Sequence, residues 1–144
     1  MMDKSCQQSW QDISLLIVRL AVAALFLSAA WGKFTNWDAT QEFIRGTGGI
    51  ITLPAWFLTV YSVLLPFVEA FIGLSFLLGY CHMLGSTLMF LATFSFWIVL
   101  SKNPSFPGIL NDFHFYLMLL SLMTFSFGYG KYRLLSCNFK CCKD

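Results

Sequence analysis

Two charged residues lie deep inside apolar runs of the sequence, and they are the first candidates for chemistry. Glu69 lies near the middle of the apolar stretch 64–80, and Arg19 interrupts the apolar stretch that follows residue 12. A charge inside hydrocarbon costs at least about 2.5–3.5 kcal/mol on insertion scales, so such a residue normally faces a bundle interior and has a partner. We therefore expect Glu69 and Arg19 to face each other. Their depths in the membrane would differ by about 7 Å at 1.5 Å per helical residue, which an arginine side chain can bridge.

This predicted pair has two interpretations. As a catalytic pair, the desolvated carboxylate of Glu69 accepts a proton from a reduced quinone, with Arg19 as its counter-ion. As a structural ion pair, it fixes how the first two spans pack. Pro66 lies on the helix face of Glu69, at a spacing of three residues, and it removes one backbone hydrogen bond beside the carboxylate. We therefore count Pro66 among the candidate quinone-binding residues.

A second polar group is predicted at the opposite end of the spans. Lys33 closes the first apolar stretch, while Asn111 and His114 begin the last one and share a helix face with Met118. Lys33 and His114 could donate hydrogen bonds to an anion or to a quinone carbonyl. The alternative is ordinary helix-end chemistry, with Asn111 as an N-cap, Asp112 favouring the helix N-terminus and Lys33 reaching to water. His114 is the residue that this alternative explains least.

The sequence contains five cysteines, Cys6, Cys81, Cys137, Cys141 and Cys142. The odd number argues against a fully paired disulfide framework. The three in the tail could bind a soft metal or carry palmitoyl groups. Their spacing differs from that of a standard zinc site, so free thiols are the expected state and no metal site is predicted.

The composition identifies the class of protein that must hold these residues. The chain has 144 residues, of which 58% are hydrophobic and 11% are charged, whereas about 25% are charged in a soluble domain. This is the composition of an integral membrane protein, and its first partner is the lipid bilayer. The net charge is only +2 and the basic residues are scattered, so nucleic-acid binding is not expected.

The hydropathy pattern predicts an all-α protein, a four-helix membrane bundle that forms one domain over residues 1–144. Each predicted span is about long enough to cross a bilayer, and the spans are 13–32, 55–80, 83–100 and 111–130. A short amphipathic helix is predicted over 38–45, ended by glycines, and a tight turn at 79–82 leads from the second span to the third. A basic, cysteine-rich tail follows at 131–144. A cleavable signal peptide within 1–30 is the rival interpretation, but Arg19 interrupts its apolar core.

Four spans place both termini on one side of the membrane. Five lysines and arginines lie on that side and three on the other, so the positive-inside rule predicts cytoplasmic termini. Every cysteine would then lie on the side where thiols are kept reduced.

The order of these motifs resembles that of the DoxX family. The motifs are an arginine in the first span with a small-x-x-Lys ending (Ala30 to Lys33), Pro66-x-x-Glu69 with Gly73 in the second, and a fourth span with Asn111 and Phe113 near its start and Gly128-x-Gly130 at its end. The resemblance implies a multi-pass bundle in the bacterial inner membrane. It further implies a relation to a subunit of thiosulfate:quinone oxidoreductase, to redox partners in bacterial envelopes, or to methylamine-utilisation maturation.

Two functions follow from the residues and this resemblance. The first is a membrane subunit or accessory protein of a redox system, with quinone as its non-covalent cofactor and a protein partner or a second copy of itself. The second is a non-catalytic adaptor that recruits its partner through the bundle and the tail. Transport of a small solute ranks third, because one buried pair provides little machinery.

Overall fold

The computed structural model describes the backbone of residues 4–50, 53–101 and 108–128, and the side chains of 10–46, 53–98 and 113–128. Within these residues the chain forms five helices and no strand. The helices are α1 (Lys4–Thr35), α2 (Trp37–Ile50), α3 (Ala55–Leu78), α4 (His82–Ser101) and α5 (Gly108–Phe127). The prediction of an all-α protein is confirmed. The tail at 131–144 lies outside the described residues.

Two described stretches are long and apolar enough to cross a membrane, Trp10–Thr35 in α1 and Ala55–Leu78 in α3. The apolar parts of α4 and α5 are shorter in the described residues, His82–Ile98 and Phe113–Phe127. Helices are thus present at all four predicted spans. Length and composition support membrane crossing for two of them.

The connection between α1 and α3 is more helical than the sequence suggested. A helix was predicted over 38–45 with glycines ending it, but α2 extends from Trp37 to Ile50 and passes through Gly46. A glycine inside a helix costs only about 1 kcal/mol relative to alanine, so glycine does not by itself end one. Ser62 of α3 donates a hydrogen bond from Oγ to Oε1 of Gln41, which holds α2 against α3.

The tight turn predicted between the second and third spans is confirmed. Gly79 ends α3 in the left-handed region with φ 70°, a conformation that glycine adopts without steric cost. The Tyr80 N–H donates to the Ser75 carbonyl at 3.0 Å, and Cys81 follows with a positive φ of 47°. The chain therefore reverses within a few residues and begins α4 at His82.

The outer surface of the bundle is apolar, and polar side chains lie inside it beside apolar ones. Many large apolar side chains point outward, among them Trp31, Trp56, Phe67 and Leu91, whereas the inside contains serines, threonines, Arg19 and Glu69. Between α4 and α5 two buried hydroxyls, on Ser86 and Thr124, hydrogen-bond at 3.0 Å. An apolar outside suits lipid, and buried polar groups that pair with each other suit helix packing in a membrane.

The four long helices surround a small apolar core. It is formed by Val22, Ala23 and Phe26 of α1, Ile72 and Phe76 of α3, Met89 and Ala92 of α4, and Leu117 of α5. In backbone packing, α1 lies along α3, α3 along α4, and α4 along α5. Among the described residues no Cα of α1 comes within 8 Å of a Cα of α5. Within the described residues the bundle is therefore open on the side between α1 and α5.

Candidate functional site

A cavity of about 510 Å³ lies on this open side of the bundle. Four helices form its walls, and Phe43 of α2 adds to the lining. The lining residues are Leu25, Phe26, Ser28, Ala29 and Lys33 of α1, Phe43 of α2, Glu69 of α3, Ala92, Thr93 and Phe96 of α4, and Phe113, His114 and Leu117 of α5. A mostly apolar cavity with a few convergent polar groups is typical of a ligand site.

The polar group at the back of the cavity is an ion pair between Lys33 and Glu69. The ammonium Nζ lies 2.7 Å from both Glu69 carboxylate oxygens, Oε1 and Oε2. The Glu69 side chain is 5% exposed and that of Lys33 is 22% exposed. An ammonium carries three hydrogens, and the two carboxylate oxygens accept two of them. One donor therefore remains on the partly exposed partner, next to the cavity.

Aromatic rings continue the wall from this ion pair. Lys33 Nζ lies 5.9 Å from the ring centroid of Phe96, close enough for a cation–π contact. The Phe96 ring is in turn 5.4 Å from the His114 ring, which packs edge-on against Phe113. An ammonium, a phenyl face and an imidazole thus form one continuous surface, which can accept a flat ring and donate hydrogen bonds to its edge.

The predicted pairing of Glu69 with Arg19 is wrong, because the structure pairs Glu69 with Lys33 instead. Leu27 lies opposite Gly73 in the antiparallel contact of α1 and α3. Glu69 of α3 therefore lies at the height of Trp31 of α1. Trp31 is twelve residues, or about 18 Å along the helix axis, from Arg19. The 7 Å depth difference expected above holds only if the first span begins level with the end of the second. In the structure α1 starts at Lys4 and extends past that end.

Arg19 has a different role in the fold. Its side chain is 2% exposed and donates from Nε to the Phe76 carbonyl at 3.0 Å and from an Nη to the Leu77 carbonyl at 3.3 Å. The last carbonyls of a helix have no intrahelical partner, and α3 ends at Leu78. Arg19 therefore caps α3, far from the cavity, and the proposal of a catalytic Arg19 is not supported.

The other predicted site residues divide into those that line the cavity and those that do not. Lys33 and His114 both line it. Pro66 is fully buried inside the unbroken α3, and half-buried Met118 lies on α5, but neither lines the cavity. The side chain of Asn111 lies outside the described residues, and α5 begins at Gly108, so Asn111 is not an N-cap.

Sequence reasoning missed the contribution of α4 and α2. The third predicted span has no ionisable residue and no site residue was predicted in it, yet Thr93 and Phe96 line the cavity. Phe43 lies in the predicted amphipathic helix and was given no role, and it also lines the cavity. One phenylalanine among sixteen carries no sequence signal, because only packing determines which aromatic ring faces a cavity.

The cysteine prediction also needs correction. Cys81 is disulfide-bonded, whereas reduced thiols were expected from cytoplasmic termini. Disulfides persist in oxidising compartments such as the periplasm, so the disulfide and the charge count of five against three indicate opposite orientations. The orientation remains a prediction. Among the described residues, no three His, Cys, Asp or Glu side chains cluster closely enough to hold a metal ion.

Comparisons with known proteins place the chain among membrane proteins. The sequence model of the family described as methylamine utilisation protein MauE matches residues 11–108. The chain is also 28% identical over 119 residues to a protein of Escherichia coli (strain K12) called inner membrane protein YqjF, covering 83% of this chain and 81% of the relative. No solved structure matches. Together with the apolar helices, these matches confirm the prediction of a multi-pass membrane protein.

The same comparison corrects the family prediction. The matching family is MauE, so the assignment to DoxX was wrong. The motifs used for it combine single charged residues inside the spans (Arg19, Glu69) with small residues and glycines at fixed spacings (Ala30, Gly73, Gly128, Gly130). Many helical membrane proteins need these features to pack closely, so their order indicates a type of bundle rather than one family.

Proposed function

Because the chain belongs to the MauE family, we propose that it is an accessory protein of a redox system in the bacterial inner membrane. Its partner is a redox enzyme that it helps to assemble or supply. We further propose that all four predicted spans cross the membrane, so that α4 and α5 cross it beside α1 and α3. The family description concerns methylamine utilisation and the relative is named an inner membrane protein, which supports both parts.

The main support for a functional site is the Lys33–Glu69 ion pair in the wall of the cavity. An ion pair that only oriented two helices would be satisfied by closed packing on all sides. Here the cavity gives one partner, Lys33, a free face. A spare N–H on Lys33 and the adjacent ring of Phe96 are suited to a ligand with a flat ring and a carbonyl oxygen.

We place a quinone in this cavity as the ligand. Its volume of about 510 Å³ lies within the range of about 300–1,000 Å³ that is usual for small-molecule sites. Lys33 would donate to a carbonyl, the ring would lie against Phe96, and His114 would flank its edge. A bound quinone supplies two-electron redox chemistry, and the electrons come from the partner enzyme. Glu69 holds the Lys33 ammonium in place and is the group nearest to it that can exchange a proton.

The test is mass spectrometry of an organic extract from protein purified after mild solubilisation. Wild type is compared with Glu69→Gln and with Glu42→Gln, a matched control on the exposed face of α2. We expect near-stoichiometric quinone in wild type and in Glu42→Gln, and its loss in Glu69→Gln. Folded wild-type protein without enriched quinone would overturn the quinone site.

A second candidate function, a non-catalytic adaptor, is favoured by the outer surface of α2. A groove of about 690 Å³ between α2 and α3 is lined by Asp38, Glu42 and Arg45, beside Trp37. Charged residues around an aromatic ring are suited to a protein partner. The adaptor would use this surface in addition to the tail, which lies outside the described residues.

Charge reversal at Arg45 separates the two functions. If the protein is an adaptor, Arg45→Glu should weaken co-purification of the partner. The quinone content per folded protein should stay unchanged. If the variant keeps its partner and Glu69→Gln loses the activity of the complex, the adaptor function is not supported.

A further inference from the structure

The cavity of the Lys33–Glu69 pair lies on the side of the bundle where α1 and α5 do not approach each other. This position decides how a ligand can reach the ion pair. We propose that the ligand is a membrane-dissolved quinone with an alkyl or isoprenoid tail, that it enters sideways from the lipid between α1 and α5, and that its tail stays in this opening. The inference rests on the quinone site proposed above.

The two sides of the opening differ in chemistry from the back of the cavity. On α1 the opening is bordered by Leu25, which is 43% exposed, and by Ser28 and Ala29; on α5 it is bordered by Phe113, which is 42% exposed. The hydroxyl of Ser28 donates to the Leu25 carbonyl at 2.9 Å. Its hydrogen is thus used within the helix, and the opening presents an apolar surface.

The polar groups lie further inside. Glu69 is almost fully buried on α3, and Lys33 reaches it from α1. A ligand that satisfies both regions has a polar ring at one end and an apolar chain at the other. A small water-soluble quinone would leave the apolar opening without a partner, whereas a tailed quinone fills it.

The groove between α3 and α4 is the competing route, and it is closed towards the ion pair. It has a volume of about 290 Å³ and shares only Ala92 with the cavity. At its side the Tyr61 and Ser95 hydroxyls hydrogen-bond to each other at 2.7 Å. A ligand entering here would have to separate this pair and pass the buried Leu65.

The experiment uses a benzoquinone that carries a photoreactive azide at the end of a decyl tail, added to the full-length protein in lipid nanodiscs. Labelled peptides are mapped by mass spectrometry in wild type, in Ser28→Trp and in two controls. Ala24→Trp places the same bulk on an exposed part of α1 that does not line the cavity, and Val60→Trp places it in the α3–α4 groove.

We expect wild type to be labelled within 25–29 and 113–117. Ser28→Trp should lower this labelling by about fivefold or more, since the usual cost of overfilling a site corresponds to at least about that factor. The two controls should change it by less than about twofold. If Ser28→Trp does not fold, Ala29→Leu narrows the same opening with a smaller side chain.

The outcomes separate this inference from the proposed function. Labelling in the α3–α4 groove, or full labelling of 25–29 in folded Ser28→Trp, would overturn the entrance between α1 and α5. A quinone found in extracts of wild type would still support the quinone site itself. If folded wild type neither contains quinone nor is labelled, the quinone site fails and this inference fails with it.

Discussion

The interface between α1 and α3 has a charged residue from α1 at each end, and the two residues have opposite roles. Near one end Lys33 binds Glu69 at the wall of a cavity and keeps part of its surface exposed. Near the other end Arg19 is fully buried and donates to two backbone carbonyls at the end of α3. Both are cations inside an apolar helix, so charge and depth alone do not identify a functional site.

The difference lies in what remains available to a ligand. The Nε and one Nη of Arg19 satisfy carbonyls that would otherwise lack partners in the membrane interior. Lys33 binds a side chain, and its ammonium can still donate once more. A buried charge is thus a candidate for binding when it is partly exposed and lines a cavity, as Lys33 does. It is structural when it is buried away from the cavity and donates to the backbone, as Arg19 does.

The largest expected effect is that of Arg19→Ala. It removes two charge-assisted hydrogen bonds and leaves the Phe76 and Leu77 carbonyls unsatisfied, so we expect a loss of about 3–5 kcal/mol in the free energy of unfolding. SDS titration in mixed micelles measures it. Arg19→Lys, with a single ammonium, should recover part of the loss.

If Arg19 has only a structural role, the folded fraction of Arg19→Ala should still contain quinone at the wild-type level. A variant of normal stability that has lost its quinone would show that Arg19 belongs to the site after all.

Lys33→Ala should have an intermediate effect on stability and a complete effect on binding. It leaves the Glu69 carboxylate buried without a partner, at a cost of about 2 kcal/mol. The double variant Lys33→Met with Glu69→Leu removes both charges, and we expect it to return to within about 1 kcal/mol of wild type. Stability by SDS titration and quinone content by mass spectrometry would be measured together.

The double variant of Lys33 and Glu69 shows whether this ion pair binds a ligand or only holds the helices together. Recovered stability without quinone identifies a binding site. Recovered stability with normal quinone content would mean that the ion pair only orients the helices.

The smallest effects concern two glycines, Gly73 of α3, which packs against α1, and Gly32 of α1, which is exposed. A Cβ on Gly73 would lie 2.7 Å from Leu27 Cγ, whereas a Cβ on Gly32 would meet nothing within 4 Å. We expect Gly73→Ala to lower the free energy of unfolding by about 1–2 kcal/mol by overpacking. Gly32→Ala should raise it by less than about 1 kcal/mol through helix propensity.

Adding Leu27→Ala to Gly73→Ala should remove the overpacking and restore part of the stability. If Gly73→Ala alone costs nothing, the close contact does not set the register that separates Arg19 from Glu69.

Periodicity predicted the helix faces well. Helical spacing puts Arg19, Ala23, Phe26, Ala30 and Lys33 on one face of α1; the first four are buried and Lys33 is partly exposed. The same spacing puts Ser62, Pro66, Glu69 and Gly73 on one face of α3, and all four are buried. Both predictions depend only on the 3.6-residue repeat, which is a property of a single helix. The pairing across helices failed because it depends on the relative height of two helices. The extra length of α1 at its N-terminal end changed that height.

The sequence by itself determined an apolar, all-helical membrane protein, its tight turn at Gly79, and the inward position of Glu69, because composition, helical periodicity and glycine conformation are local properties. Only the tertiary structure decided that Lys33 and not Arg19 reaches Glu69, that Phe96 of α4 and Phe43 of α2 border the cavity, and that the bundle is open between α1 and α5. These depend on the register and the distance between helices, which are set by close contacts such as Leu27 against Gly73.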